Sequence, residues 1–329
     1  RASLFGSLLL SAGLVQAQVT AAQAARLGQE LTPIGAEKAG NAAGTIPAWD
    51  GGLARDANAY DPALGYRDPY AADQPLFSIT AANAEQYREQ LSPGQLAMLT
   101  RFSDSWKLNV YPTRRSASYP DKVYAAAKHN ATSAKLIENG NGIADFKLAT
   151  PFPLPQSGVE ALWNHIARYR GTYLVRRSSE AGVQSNGNKS VVTSRDEALF
   201  NFYEPKGSYA GLNNTLFNYM AFNTAPARLA GGGVLVHETL DQVKEPRQAW
   251  AYSAGQRRVR RAPTVAYDTP VESVDGMRTV DDTDMFNGSP DRYSWKLLGK
   301  REVYIPYNNY RLGTPGVKYD QLLTPGHIN

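Results

Sequence analysis

The chain has 329 residues, 42% hydrophobic and 20% charged, a balance that suits a folded globular protein and excludes a disordered one. Its net charge of +5 falls short of the lysine and arginine density that nucleic-acid binding needs. With no cysteine, disulfides, thiolate metal sites and cysteine nucleophiles are excluded, and stability must come from burial alone.

The first residues speak to export. Arg1 precedes an apolar run, LFGSLLLSAGLV (residues 4–15), that is too short to span a bilayer. Val15-Gln16-Ala17 offers small residues where signal peptidase reads, which predicts cleavage after Ala17. Gly13 stands where a lipoprotein signal places its cysteine, so the expected product is periplasmic or secreted and carries no lipid anchor. The ending, residues 322–329, reads as a loop and predicts that the natural chain continues.

Alanine-rich residues 21–31 predict a short helix, and residues 32–73 a glycine- and proline-punctuated loop. That loop is either an ordered wrap pinned by Trp49, Tyr60, Tyr66 and Tyr70 or a flexible arm. Thr80 caps a predicted helix over 81–91. Ser92-Pro93-Gly94-Gln95 combines a capping serine, proline at the first helical position and glutamine at the third, predicting a helix to about Ser103. Another helix falls within 119–136, with Val123, Ala126, Ala127 and Ala134 on one face. Residues 158–169 form an amphipathic helix whose stripe is Val159, Leu162, Trp163 and Ile166.

Beyond Gly171 the period changes to two. Strands are predicted at 172–177, 190–194, 198–203, 215–222 and 233–239, with Asn186-Gly187-Asn188 as a turn. Pro246 within KEPR marks a connection, after which Gln248, Trp250 and Tyr252 alternate with Ala249, Ala251 and Ser253. A two-residue turn at Ala254-Gly255 would set Tyr252 opposite Arg257 and Trp250 opposite Val259. A three-residue turn with a bulge would instead bring Arg258 and Arg260 against the rings. Residues 293–305 predict one more strand, kinked at Gly299. Helices followed by strands with short turns make the fold class α+β: a curved antiparallel sheet packed on helices. One domain is expected over 18–329, mainly helices and loops to residue 169 and mainly strands after it.

No motif for chemistry is complete. His237-Glu238 lacks the second histidine of a zinc protease and sits on a strand, where neighbours point apart. The four histidines are scattered, and Asp281-Asp282-Thr283-Asp284 does not match the loop spacing of an EF-hand; these aspartates are expected to cap a turn. Gly231-Gly232-Gly233 lacks the residues of a phosphate loop, and there is no GxSxG elbow. No cofactor or catalytic residue is therefore assigned. Binding remains, with Phe202, Leu216, Phe217, Tyr219, Leu235, Trp250 and Tyr252 as candidate contacts for an apolar ligand on the sheet. Arg257, Arg258, Arg260 and Arg261 are either a solvated rim with stems over aromatic rings or a contact for anionic headgroups or an acidic partner.

The runs IPAWDGG (46–52), PQSGVEALWNH (155–165), LVHETLDQ, PRQAWAYSAGQRRVRRAP and MFNGSPDRYSWKLLGKREVYIPYN (285–308) together resemble an exported Gram-negative family, domain of unknown function 1329. That family is similar to the LolA/LolB-like outer-membrane lipoprotein-sorting factors. The resemblance implies an open half-barrel sheet curled around a helical plug and a cavity for acyl chains or other apolar cargo. It also implies partnership with an inner-membrane transporter of the resistance–nodulation–division class, and further strands beyond Asn329. The expected function is a periplasmic carrier or adaptor for a lipid or other hydrophobic molecule. A cargo-free interaction module of an envelope export complex and an envelope enzyme acting on an apolar substrate are the alternatives.

Overall fold

The computed structural model describes residues 19–54, 57, 60–61, 63–203, 209–262, 267–313 and 316–323. The predicted signal segment and cleavage point lie outside them. The described residues group into two compact units. Residues 19–29, 33–36 and 121–297 form the first; residues 30–32, 37–120 and 298–323 form the second. Helix α1 (Ala21–Ala25) opens the first unit behind a reciprocal cap: Gln23 N donates to Thr20 Oγ1 at 3.2 Å, and Thr20 N to Gln23 Oε1 at 2.8 Å. It is shorter than predicted because Gly28, at φ +83°, turns the chain.

The second unit is largely loop, and side chains pin the described part of it. Arg115 acts as a peg, donating to the carbonyls of Glu37, Lys38 (3.1 Å), Ala39 (3.3 Å) and Pro47 (3.2 Å). Trp49 Nε1 donates to the Ala117 carbonyl at 3.1 Å, and the Arg114 guanidinium covers the Tyr70 ring. Tyr60 and Tyr66 do not act as pins. Their two-residue strands, β1 (Tyr60–Asp61) and β2 (Gly65–Tyr66), pair with each other, and both rings remain exposed. The core of this unit lies beneath β3 (Phe77–Ile79) and β4 (Leu108–Val110), where Ile79, Leu91 and Leu99 are buried against Phe77, Tyr87 and Tyr304. Residues 84–90 wind as a 3-10 rather than an α-helix. Helix α2 (Pro93–Arg101) carries the predicted cap, with Gln95 N donating to Ser92 Oγ at 3.2 Å. The strand predicted over 293–305 is absent. Its backbone is held singly instead: Tyr304 N donates to the Gln90 carbonyl at 2.9 Å, and Gln95 Nε2 donates to the Tyr304 carbonyl at 2.8 Å.

In the first unit, α3 (Asp121–Ser133) buries Val123, Ala126, Ala127 and Ala131. A short ribbon follows, β5 (Lys135–Ile137) with β6 (Gly142–Ala144), and then α4 (Gly158–Ile166), which buries Leu162 and Trp163. The Trp163 indole donates to the Gly140 carbonyl at 2.9 Å, satisfying its buried N–H. The sheet is a six-stranded antiparallel meander: β7 (Tyr173–Val183), β8 (Lys189–Leu199), β9 (Thr215–Ala225), β10 (Gly233–Thr239), β11 (Gln248–Ser253) and β12 (Arg258–Arg261). Each strand pairs with its neighbours in sequence, and the sheet does not close. Bulges at Thr193/Ser194 and Glu238/Thr239 bend it. Residues 198–203 are not one strand. β8 stops at Leu199, and Asn201–Tyr203 is a 3-10 turn that drops Phe202 and Tyr203 into a ring cluster with Phe200 and Phe146. The fold is α+β. No described helix is long and apolar enough to cross a membrane.

Candidate functional site: the open face of the sheet

Residues paired across an antiparallel sheet share a face, so the register sorts every strand side chain. One face is packed. Leu174, Ala198, Tyr219, Val236 and Ala249 lie in a single row across five strands, and Ala198, Val236 and Ala249 are buried. Burial, with the Asp196 carboxylate nearby, pushes the Tyr219 phenol up to about 12. This face also holds a buried ion pair, in which Arg247 Nε donates to Glu238 Oε2 at 2.7 Å. Arg176 Nε reaches Asp196 Oδ2 at 2.9 Å.

The other face is open. Its central row runs Val175, Glu197, Met220, Leu235, Trp250, Arg261; the next runs Arg177, Arg195, Phe222, Gly233, Tyr252, Val259. Phe222, Leu235, Tyr252 and Val259 are between 37% and 62% exposed, although they are neighbours in one layer; Val175, also exposed, is separated from them by Glu197 and Arg195. Isolated exposed apolar side chains need no explanation; a contiguous layer of them marks a surface awaiting a partner or ligand. Gly233 shapes the middle of it. A Cβ there would sit 2.8 Å from the Phe222 ring and 2.4 Å from the Ala221 carbonyl oxygen, so the glycine lets that ring lie close over the strand. The His237 ring meets Trp250 edge-on, with centroids 5.0 Å apart.

The edges of this face are charged. At the β7–β8 side, Glu197 accepts from Tyr173 and pairs with Arg195, and that hydrogen bond raises the Tyr173 pKa. At the β12 side the turn has four residues, Ala254 to Arg257, with Arg257 in the left-handed region at φ +51°. The register therefore differs from both sequence expectations: Tyr252 faces Val259, Trp250 faces Arg261, and Ser253 faces Arg258. Arg261 shares the open face with the rings. Arg258 and Arg260 project to the opposite side, and all of them are exposed.

A profile of the family described as "Protein of unknown function (DUF1329)" matches residues 78–329, a span that includes all six strands of the sheet. The chain belongs to the DUF1329 family. It is 54% identical to the uncharacterized Pseudomonas aeruginosa protein PA3922 over 327 residues, covering 98% of this chain and 71% of that protein. Among solved structures it is similar to a domain described as an outer membrane lipoprotein-sorting protein domain from Vibrio parahaemolyticus. There the identity is 15% and the TM-score 0.27, over 37% of this chain and 48% of that one. The match thus spans about half of the solved domain's length.

In this DUF1329 sheet the seven side chains expected to share a ligand are divided three ways. Leu235, Trp250 and Tyr252 lie together on the open face; Phe217 and Tyr219 lie on the packed one. Phe202 and Leu216 are buried in the protein's own core, Leu216 where the bulge beside Thr239 interrupts alternation. The reason is register: Tyr219 pairs with Val236, so it must point with Val236 and away from Leu235. Met220, Phe222 and Val259 complete the open face and were not singled out from sequence. The signal for Met220 and Phe222 is visible in β9, TLFNYMAFNTA, where large apolar residues occur in both parities, so that both faces require cover.

His237 and Glu238 leave the sheet on opposite faces, as strand neighbours do, and do not form an acid–base pair. The aspartates at 281–284 have partners within the fold. Asp281 accepts from Thr279 (2.5 Å) and Tyr293 (2.8 Å), Asp282 accepts from Thr279, and Asp284 is held between Arg168 and Arg170. Burial would raise the Asp284 pKa, but the two guanidiniums outweigh it and hold the carboxyl below its usual range.

Proposed function

We propose that this DUF1329 protein is a carrier that binds a lipid or other hydrophobic molecule on the open face of its sheet, without catalysis. The observation that carries the reading is the layer formed by Met220, Phe222, Leu235, Trp250 and Tyr252, half-exposed side by side on a face that the described chain leaves uncovered. Each methylene moved from water onto such a layer contributes up to about 0.8 kcal/mol, so an acyl chain supplies the driving force by itself. The exported character of the sequence supports a periplasmic setting. The family resemblance supports a resistance–nodulation–division transporter at the inner membrane as the partner that loads or receives cargo. A second reading, docking of a partner protein, is supported by the outer edge of β7: eleven residues with no strand beside it among the described residues.

The test is a titration with a fatty acid carrying an environment-sensitive fluorophore. Saturable binding is expected. It should fall at least about tenfold in Leu235→Glu, which places a charge in the middle of the layer at an exposed position and so spares folding. Saturable binding that Leu235→Glu leaves unchanged would contradict the site. The absence of any binding would favour the docking module.

A further inference from the structure

The two ends of the central row differ in charge, with Val175 and Glu197 at one end and Arg261 at the other, and the difference specifies the ligand. At the β7–β8 edge the cations are partly neutralised, because Arg195 is paired with Glu197, whose carboxylate stands in the central row itself. At the β12 edge Arg257, Arg258, Arg260 and Arg261 have no carboxylate partner among the described residues, and Arg260 donates only to the neutral Gln256 amide at 3.0 Å. Arg261 ends the row that contains Trp250, Leu235 and Met220, directly opposite Trp250. From Arg261 to Met220 is three interstrand steps of about 4.8 Å, or about 14 Å of apolar surface measured from a cation.

We infer that the ligand is an anionic single-chain amphiphile, its carboxylate or phosphate at Arg261 and its acyl chain laid across β11, β10 and β9 over Trp250, Leu235 and Met220. The inference rests on the open face being the binding surface and adds the polarity and orientation of what lies there. Guanidinium is the natural partner for either head group, since its fork donates to two oxygens at once. The neighbouring hairpin arginines raise the local positive potential, and ionic strength should reduce their effect.

The experiment is calorimetric titration of the whole protein with dodecanoate, dodecyl maltoside and dodecyltrimethylammonium. Each is kept below its micelle concentration, and each is measured at low and high salt. Dodecanoate is expected to bind at least about tenfold tighter than the cationic amphiphile, with the gap shrinking in salt. Arg261→Gln should remove most of the gap while leaving the maltoside unchanged; Arg177→Gln, at the far edge, should leave the gap in place. Equal affinity for all three would overturn the inference and leave an apolar binding face standing. Failure of all three to bind would remove the binding face itself. Binding confined to phosphatidylglycerol vesicles, with no monomeric amphiphile bound, would replace a carried molecule by a membrane surface and also overturn the inference.

Discussion

Glu238 and Arg247 have side chains only 3% and 7% exposed, and each is the other's counter-ion on the packed side of β10. Removing one leaves an uncompensated charge in the interior. Glu238→Ala should therefore cost about 3–5 kcal/mol in denaturant unfolding, and Glu238→Ala with Arg247→Met should recover much of the loss. His165 carries a pH dependence. Burial and then the Arg168 guanidinium lower its pKa below the ordinary 6.5, while its Nε2 contacts the Asp284 carbonyl at 2.9 Å. An imidazole that resists protonation in the folded state binds its proton more readily when unfolded. Its contribution is thus complete above pH 6.5 and is lost as pH falls from there toward the folded pKa. Asp284, also lowered, loses its contribution only on further acidification, below its usual 3.8. Thermal unfolding should show a midpoint falling between pH 7 and 5, and His165→Gln should flatten that fall; an unchanged slope in the variant would rule out His165 as its source.

Within β10 the close fit over Gly233 makes a sharp prediction. Gly233→Ala puts a methyl into space claimed by the Phe222 ring and the Ala221 carbonyl, so it should destabilise the sheet by about 1–3 kcal/mol and displace Phe222. A circular dichroism melt and the ring resonances of Phe222 would report both; an unshifted melt would show that the strands yield at no cost. Such elements were legible in sequence to the extent that their causes are local. The α2 start was readable because serine, proline and glutamine within four residues satisfy one another. The β11 alternation was readable for the same reason. The β11–β12 register was not, because it depends on Arg257 accepting a left-handed conformation that no neighbour demands. Residues 293–305 misled for the opposite reason: their pattern is strand-like, but no ladder forms, and Tyr304 takes its partners from the distant Gln90 and Gln95. Phe217 and Tyr219 could not be separated from Leu235 without the pairing of β9 with β10, which is a tertiary fact.

For the molecule as a whole, the proposed carrier role turns on which side of the sheet is free to meet a hydrophobic molecule. The packed side is occupied by Tyr219, Val236, Ala249 and the Glu238–Arg247 pair, whereas the open side exposes Leu235, Tyr252 and Phe222 with arginines at its margin. The α+β architecture and the antiparallel sheet follow from the change of period near Gly171, but the identity of the open side emerges only when six strands are laid in register. The most direct measurement is photocrosslinking with a diazirine-bearing fatty acid, followed by peptide mapping of the labelled sites. The expected result is saturable labelling in β9, β10 and β11 at Met220, Phe222, Leu235, Trp250 and Tyr252. Labelling concentrated at Phe217 and Tyr219, or none that excess unlabelled fatty acid can compete away, would contradict it.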